Sequence, residues 1–172
     1  QHLEMTRDVA NRFNHQMGDT LVTPEVKLQE GTMYVPGTDG GKMSKSSGNI
    51  INLFLSDKEL RKQIMKIQTD STPLEEPKNP DTCNLFALYK LIASPVQIVE
   101  MRANYEAGNY GYGTAKQAFY ELLVAKYAVE RERYNYYMNN LNEIDEALAI
   151  GAVKARKVAF EVLKMVRAKL GY

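Results

Sequence analysis

Apolar residues along most of this chain recur three and four positions apart, the spacing that places side chains on one face of an α-helix. Over residues 1–17 this spacing predicts an amphipathic helix that starts at or near the first residue. Its expected buried stripe consists of Leu3, Met5 or Thr6, Val9, Ala10, Phe13 and Met17. The stripe predicts that one face of this helix packs against other parts of the protein.

A different pattern follows between residues 22 and 35. Pro24 disfavours a helical conformation at Thr23, so the first helix cannot continue through this point. Val26 and Leu28 then alternate with polar residues, and residues 32–35 form a second short run with β-propensity. Two short strands are predicted, and the second leads into a polar loop, as is usual where an α/β sheet binds ligands at the carboxyl ends of its strands.

Cap residues mark four helix starts after residue 50. Three show capping-box spacing, in which a hydroxyl and a carboxyl or amide three residues later each accept a hydrogen bond from the other residue's backbone N–H. These pairs are Ser56 with Glu59, Ser94 with Gln97 and Thr114 with Gln117, and Asp81 is the predicted simple cap of the fourth helix. Core positions are expected in the two helices that follow Ser56 and Asp81. They are Leu60, Ile64, Ile67, Leu85, Leu88, Leu91 and Ile92.

The carboxy-terminal half is predicted to be an antiparallel helical bundle. One long helix is expected from about Thr114 to Met138, followed by one or two helices from Asn142 to Leu170, interrupted or bent near Gly151. Three prolines between residues 71 and 80 favour an extended, solvated linker before the bundle. In the glycine-rich segment 108–113, two tyrosines could stack on nucleotide bases, although packing over one end of the bundle is the favoured interpretation.

Composition is that of an ordinary globular protein. Hydrophobic residues make up 44% and charged residues 25% of the chain, and no run of about eighteen apolar residues predicts a membrane span. The single Cys83 is expected to be a small buried side chain near a helix start, and His2 and His15 provide no metal-ligand cluster. With a net charge of +1, binding of nucleic acid would depend on local patches. Together with the lack of a signal-peptide pattern, these features predict a cytoplasmic protein.

The most informative segment is the loop from Gly40 to Gly48, here named the lysine-serine loop. It places two ammonium groups and three hydroxyls between glycines, on a segment with little apolar surface to bury. Lys42 and Lys45 can act as point charges toward phosphate oxygens, while hydroxyls and backbone N–H groups can donate hydrogen bonds. Composition alone, however, favours an ordinary solvated turn over a phosphate site.

The order of residues in the lysine-serine loop changes that balance. Residues 42–46 are Lys-Met-Ser-Lys-Ser, which resembles letter for letter the signature loop of the class I aminoacyl-tRNA synthetases. The surrounding segments look like those of the tryptophanyl-tRNA synthetases, in that family's order and approximate spacing. They are residues 1–8, 12–14, 69–71, 84–85, 105–106, 110–111, 151–152 and 154–155. The resemblance extends over nearly the whole chain and favours the tryptophanyl family over its tyrosyl sister.

The resemblance implies ATP-dependent activation of an amino acid, with the lysine-serine loop stabilising the transferring phosphates. Lys45 and Lys42 are the predicted catalytic residues, Lys45 acting on charge that develops during the reaction and Lys42 mainly holding the nucleotide. The predicted ATP-binding residues are Lys42, Met43, Ser44, Lys45, Ser46 and Met33. Met33 matches a family position near adenine, but it could equally be a core residue of an edge strand. Magnesium is expected to arrive with ATP, without a protein-bound metal.

The residues after the signature differ from the commoner family pattern. The loop continues with Ser47-Gly48-Asn49, where the family often has an acidic residue and a proline. The family pattern therefore does not predict the backbone conformation at the loop exit.

Basic residues repeat along the last predicted helix. Those assigned to contact with tRNA are Lys154, Arg156, Lys157, Lys164 and Arg167. A solvated helix face explains such a pattern, and so does a surface that follows the phosphates of the anticodon stem, which the resemblance supports. Both interpretations stay open.

Length and organisation suggest a carboxy-terminal fragment, because 172 residues are few for a complete nucleotide-activating synthetase and the helical pattern is already present at Gln1. The predicted fold class is mainly α, a helical bundle of the anticodon-binding type preceded by a remnant of a Rossmann-like α/β domain. The expected divisions are residues 1–70 for the end of the catalytic domain with the signature loop, 71–80 for a linker, and 81–172 for the anticodon-binding domain.

The predicted function is that of part of a tryptophan–tRNA ligase. Its expected partners are ATP, tryptophan and tRNA(Trp), with a homodimer for the intact enzyme and no membrane contact, and the fragment alone is expected to be inactive in catalysis. The alternatives are a tyrosyl-tRNA synthetase fragment, an RNA-binding helical module without catalysis, and a helical interaction scaffold that binds neither ATP nor tRNA.

Overall fold

The computed structural model describes residues 1–27 and 34–172. These residues form seven α-helices: α1 His2–Met17, α2 Asp57–Met65, α3 Asn84–Lys90, α4 Pro95–Ala107, α5 Tyr112–Lys126, α6 Ala128–Asn139 and α7 Leu141–Leu170. The mainly helical fold class is therefore confirmed. Both predicted strands extend into residues 28–33, which lie outside the described residues. The β pairing in the described part of the chain is an isolated antiparallel bridge between Pro36 and Lys42.

The chain divides into two compact units. One consists of residues 1–28 and 137–172, and the other of residues 29–136. These units do not follow the predicted divisions 1–70, 71–80 and 81–172, which stay a prediction. The lysine-serine loop belongs to the second unit.

The core of the second unit lies among α2, α3, α4 and α5. Leu60 and Ile64, one turn apart on α2, are fully buried, and α2 packs along α5. Complete burial of a side chain of this size stabilises the fold by about 1.5–3 kcal/mol. The predicted core positions Ile67, Leu85 and Leu88 and the predicted buried Cys83 are also confirmed. Leu91, at the C-cap of α3, is 36% exposed, and Ile92 after it is only partly buried against the core.

Two of the three predicted capping boxes are confirmed. The Ser56 side chain accepts the backbone N–H of Glu59, and the Glu59 carboxylate accepts the backbone N–H of Ser56. Ser94 and Gln97 make the same reciprocal pair at the start of α4. The predicted starts of α2 and α4 are therefore correct.

The other two predicted caps are wrong. Helix α5 begins at Tyr112, two residues before Thr114, and has no side-chain cap. Helix α3 has Cys83 at its N-cap, while the Asp81 carboxylate accepts hydrogen bonds from both terminal guanidinium nitrogens of Arg102. Asp81 therefore pairs with a residue of α4 and does not cap α3.

The helices after residue 112 also differ from the prediction. The expected long helix is broken at Tyr127, whose φ of −107° and ψ of 21° leave the α-helical region, so that α5 and α6 are separate. The Arg131 guanidinium fastens the first turns of α6 by donating to the carbonyls of Leu53 and Leu55 at 2.9 and 3.1 Å. Helix α7 continues without interruption through Gly151.

The predicted linker is ordered around a buried ammonium group. Lys78 is only 3% exposed, and its Nζ donates to the carbonyls of Pro73, Leu74 and Glu76 at 3.0, 3.3 and 3.2 Å. Its backbone N–H donates to the carbonyl of Tyr105 on α4 at 2.8 Å. Residues 71–80 are free of helix and mostly exposed, as predicted, but Lys78 ties them to the core.

The tyrosines of segment 108–113 are half-buried and pack against the core. The rings of Tyr110 and Tyr112 lie 5.9 and 6.1 Å from the ring of Tyr105, centroid to centroid. Tyr105 is fully buried, and this burial raises the pKa of its hydroxyl well above the usual range. The Tyr112 hydroxyl donates to the Asp70 carboxylate at 2.7 Å. This arrangement agrees with the packing interpretation.

In the first unit, α1 forms as predicted, but most of its expected buried stripe is exposed. Of that helix only Ala10 is buried, and Val9 is 67% exposed. The segment after α1 folds back onto Asn14, whose Oδ1 accepts the backbone N–H of Leu21 at 2.8 Å. Among the residues that the structure describes, no helix combines the length and hydropathy needed to cross a membrane.

Candidate functional site

The lysine-serine loop rises from a tight hairpin. Met43 donates its backbone N–H to the carbonyl of Val35 at 2.9 Å, next to the bridge between residues 36 and 42. At the turn, the N–H of Gly37 donates to the carbonyl of Gly41 at 2.7 Å. The hairpin therefore fixes the backbone on which the first lysine stands.

A single buried side chain, Asn49, holds the loop together from the inside. Asn49 is 4% exposed, and its Oδ1 accepts the backbone N–H of Ser44 at 2.8 Å. Its Nδ2 donates to the carbonyl of Lys42 at 3.1 Å and to the carboxylate of Asp39 at 2.7 Å. The Asn49 amide, helped by the backbone N–H of Gly41, holds the pKa of Asp39 below its usual value. One side chain thus joins the entry, the middle and the exit of the loop.

The backbone of Gly37 lies too close to the Asn49 side chain to leave room for a Cβ. A Cβ on Gly37 would lie 2.3 Å from Asn49 Nδ2, so only glycine fits there without a shift. Thr38 donates its N–H to the carbonyl of Asn49 at 2.9 Å, and its own carbonyl accepts the N–H of Gln68 at 2.7 Å. These bonds connect the hairpin to the segment that follows α2.

Both lysines of the loop are exposed on this anchored backbone. Lys42 extends from the end of the hairpin, and Lys45 begins a turn closed by the Gly48 N–H, which donates to the Lys45 carbonyl at 3.2 Å. Gly48 has a φ of 67°, a conformation that favours glycine. Neither lysine forms an ion pair with another described residue. The site therefore presents two ammonium groups to solvent.

The remaining predicted ATP-binding residues fall into three groups. The hydroxyls of Ser44 and Ser46 lie 2.7 Å apart and share a hydrogen bond, so one hydroxyl stays able to donate outward. The Met43 side chain packs against the core and lines an apolar cavity of about 280 Å³ together with Leu88 and Phe119. A contact of Met43 with a nucleotide, which stays a prediction, would therefore fall to its backbone. Met33 lies outside the described residues.

Asn49 is the residue of this site that sequence reasoning missed. The only available signal was an asparagine directly after a glycine at the loop exit, a combination common in turns. The exit geometry, left open by the sequence, is an ordered turn in which that asparagine points inward.

The predicted tRNA-contacting residues all lie on α7, in the first unit. Every one of them is exposed: Lys154, Arg156, Lys157, Lys164 and Arg167. Most apolar residues of that helix are also exposed, and Val158 reaches 69%. Within residues 1–27 and 34–172, no three His, Cys, Asp or Glu side chains are grouped closely enough to hold a metal ion.

A family model and curated relatives both match this chain to tRNA synthetases. The family model described as tRNA synthetases class I (W and Y) matches residues 1–128. The chain is 43% identical over 171 residues to the tryptophan–tRNA ligase of Rhodopirellula baltica, covering 99% of this chain and 53% of that protein. It is 42% identical to the tryptophan–tRNA ligase of Campylobacter jejuni, covering 99% and 54%. The chain thus spans about half the length of the curated relatives it matches.

Solved structures agree in shape as well as sequence. The crystal structure of tryptophanyl-tRNA synthetase from Campylobacter jejuni, complexed with ADP and tryptophan, has a TM-score of 0.85 and 41% identity to this chain, covering 99% of it and 54% of that structure. A second structure of the same synthetase has a TM-score of 0.84 at 40% identity. The family match over three quarters of the chain, the relatives and the anchored lysine-serine loop agree. The chain belongs to the class I tRNA synthetases of the tryptophan and tyrosine type.

Proposed function

We propose that this chain supplies the ATP-activating loop of a tryptophan–tRNA ligase. The observation that carries the proposal is the pair of exposed ammonium groups, Lys42 and Lys45, on a loop that Asn49 locks from the inside. About 40% identity to relatives named tryptophan–tRNA ligase supports tryptophan as the amino acid. A structural neighbour that was crystallised with ADP and tryptophan supports a nucleotide as the anionic ligand.

The proposed chemistry requires a cation that stabilises the transition state more than the bound substrate. A carboxylate oxygen of tryptophan attacks the α-phosphorus of ATP, the bond from that phosphorus to the bridging oxygen breaks, and pyrophosphate leaves with the electron pair. Negative charge therefore grows on the departing pyrophosphate. A cation that contacts this charge more closely in the transition state than in the bound substrate lowers the barrier. Lys45, in the turn at the tip of the loop, is the residue proposed for this role.

The other loop residues are proposed to bind the nucleotide in its ground state. Lys42 stands on the fixed hairpin, which suits a constant grip on a phosphate more than a late movement. Ser44 and Ser46 share one hydrogen bond, which leaves one hydroxyl proton for a phosphate oxygen. Magnesium arrives with ATP, since a magnesium–nucleotide complex needs few protein ligands.

The test is tryptophan-dependent exchange of pyrophosphate into ATP by the full-length enzyme. Lys45→Ala is expected to slow exchange by about a hundredfold or more, as for loss of one group that stabilises transition-state charge, with a smaller change in the KM for tryptophan. The matched control is Lys58→Ala, which removes an exposed lysine of α2 outside the loop and should leave the rate unchanged. An unaltered rate in Lys45→Ala would refute the proposed role, and exchange by the 172-residue chain alone would show that the active site is misplaced.

Transfer of the activated amino acid to tRNA is proposed to use α7. Its exposed cations can contact phosphates without reading base sequence. Replacing Lys157 and Lys164 by alanine should weaken tRNA binding and make the plot of log affinity against log salt shallower by about one to two units of slope. An unchanged slope would favour a merely solvated helix face. A homodimer and a cytoplasmic location complete the proposal for the full-length enzyme.

A further inference from the structure

The hairpin below the lysine-serine loop is held from a second side by Asn84. Asn84 is the first residue of α3, and its Nδ2 donates to the carbonyl of Gly37 at 2.9 Å across 47 positions of sequence. The same side chain covers the turn at Gly40, where a Cβ would lie 3.8 Å from Asn84 Cγ. Asn84 therefore bonds one end of the turn that begins the loop and lies beside its other end.

The helix that carries Asn84 is firmly seated. Leu85, Phe86 and Leu88 follow it on α3 and are 1%, 0% and 3% exposed. Side chains in such a packed interior cannot shift without opening voids, so the first turn of α3 is a rigid platform. The Asn84 amide transmits the position of that platform to the hairpin.

Gly37 lies between two asparagine side chains. On one side its α-carbon faces Asn49, at a distance that excludes a Cβ. On the other side its carbonyl accepts both the Asn84 amide and the backbone N–H of Gly40 at 3.1 Å. The two asparagines determine different quantities. Asn49 bonds within the loop, whereas Asn84, beside the backbone bond between Thr38 and Gln68, joins the hairpin to the core.

We propose that Asn84 is a positioning residue for adenylate formation, acting through Gly37 on the location of the two lysines. The inference rests on the proposed function, because it needs Lys45 to meet pyrophosphate charge. Catalysis by fixed charges depends steeply on placement, and a displacement of about 1 Å can cost up to a hundredfold in rate. Loss of the Asn84 bond should release the hairpin from α3 without unfolding the loop, whose Asn49 bonds stay in place.

The decisive variant is Asn84→Asp in the full-length enzyme. The aspartate side chain has the same shape as that of asparagine. When ionised, it cannot donate a hydrogen bond to the Gly37 carbonyl, and its negative charge repels that oxygen. An acidic side chain in the first turn of a helix is otherwise favourable, so the unfolding temperature should be kept or slightly raised. We expect kcat for pyrophosphate exchange to fall about tenfold, while the KM for tryptophan changes less than twofold. Asn84→Ala, which removes the donor without adding repulsion, should lower kcat about threefold.

The matched control is Asn79→Ala. Asn79 also makes one side-chain bond to backbone, accepting the N–H of Asp81 at 2.9 Å, and it lies five positions before Asn84. Its loss should leave kcat unchanged. Unaltered kcat in Asn84→Asp, or a fall in kcat that only follows loss of folded protein, would overturn the inference. Lys45→Ala is measured in parallel. If Lys45→Ala is inactive while Asn84→Asp keeps full activity, only the Asn84 proposal is refuted. If Lys45→Ala keeps full activity, the proposed function itself is refuted.

Discussion

Substitution of Asn49 by alanine tests whether one buried side chain holds the lysine-serine loop. The change removes the acceptor of the Ser44 N–H and the donor to the Lys42 carbonyl, at 2.8 and 3.1 Å. It also removes the amide that bonds Asp39. The rest of the hairpin keeps its backbone bonds, so the expected effect is local opening of the loop and not loss of the core.

The magnitude follows from the two bonds between Asn49 and the loop backbone. At about 1 kcal/mol each, their loss lowers the free energy of local opening by about 2 kcal/mol. That difference corresponds to about a thirtyfold faster hydrogen exchange for amides protected by the closed loop. The reporters are the N–H groups of Thr38 and Met43, whose own acceptors are backbone carbonyls and survive the substitution.

The assay is amide hydrogen exchange followed by NMR on the 172-residue chain. The control is Asn52→Ala, which removes one exposed side-chain bond, from the Phe54 N–H at 3.0 Å, and should change these two amides by less than about twofold. If Asn49→Ala leaves the exchange of Thr38 and Met43 unchanged, the loop is held by its hairpin alone and the role given to Asn49 is wrong.

Three further predictions concern the same unit. Gly37→Ala should raise loop-amide exchange at least as much as Asn49→Ala, because its Cβ would lie 2.3 Å from Asn49 Nδ2, whereas Gly113→Ala, with no atom within 4 Å, should leave it unchanged. Lys78→Met should lower the free energy of unfolding in urea by about 2–3 kcal/mol, because it strands three carbonyls around the buried ammonium; an unchanged midpoint would contradict this. The lowered pKa of Asp39 means that its carboxylate stabilises the loop above its ordinary pKa and loses this effect as the pH falls through the lowered value. Loop-amide protection should therefore hold from pH 7 to about pH 4 and fall below it, and Asp39→Asn should remove that fall.

Local signals predicted helix starts correctly only where nothing distant competed. The pairs Ser56 with Glu59 and Ser94 with Gln97 are confirmed because both partners lie within one helical turn. Thr114 has the same spacing to its partner, yet α5 begins at Tyr112, whose hydroxyl bonds Asp70 from 42 positions away. A contact over that distance leaves no mark in the local sequence pattern.

The same limit explains the helix break and the ordered linker. Nothing near Tyr127 resembles a helix breaker, and the break goes with long-range bonds from Arg131 to the carbonyls of Leu53 and Leu55. Prolines correctly excluded a helix from residues 71–80, but Lys78 is buried because carbonyls gather around it in the folded chain. Side-chain burial of that kind depends on the assembled structure.

For the candidate site, the sequence predicts which side chains react but not which residues hold them in place. Lys42 and Lys45 could be singled out because their order in the string carries the family resemblance. No local pattern marks Asn49 or Asn84 as a support of the loop, and their bonds to the hairpin appear only in the folded chain. The structure therefore adds the parts that hold the charges in place.

The most direct measurement is a calorimetric titration of magnesium–ATP into full-length enzyme carrying Lys42→Met and Lys45→Met together. Methionine keeps an unbranched side chain, one atom shorter than that of lysine, and removes the charge. We predict that ATP affinity falls by about tenfold or more and that pyrophosphate exchange becomes undetectable, while the unfolding temperature stays that of the unmodified enzyme. Unchanged affinity together with normal exchange would contradict the assignment of the lysine-serine loop to ATP.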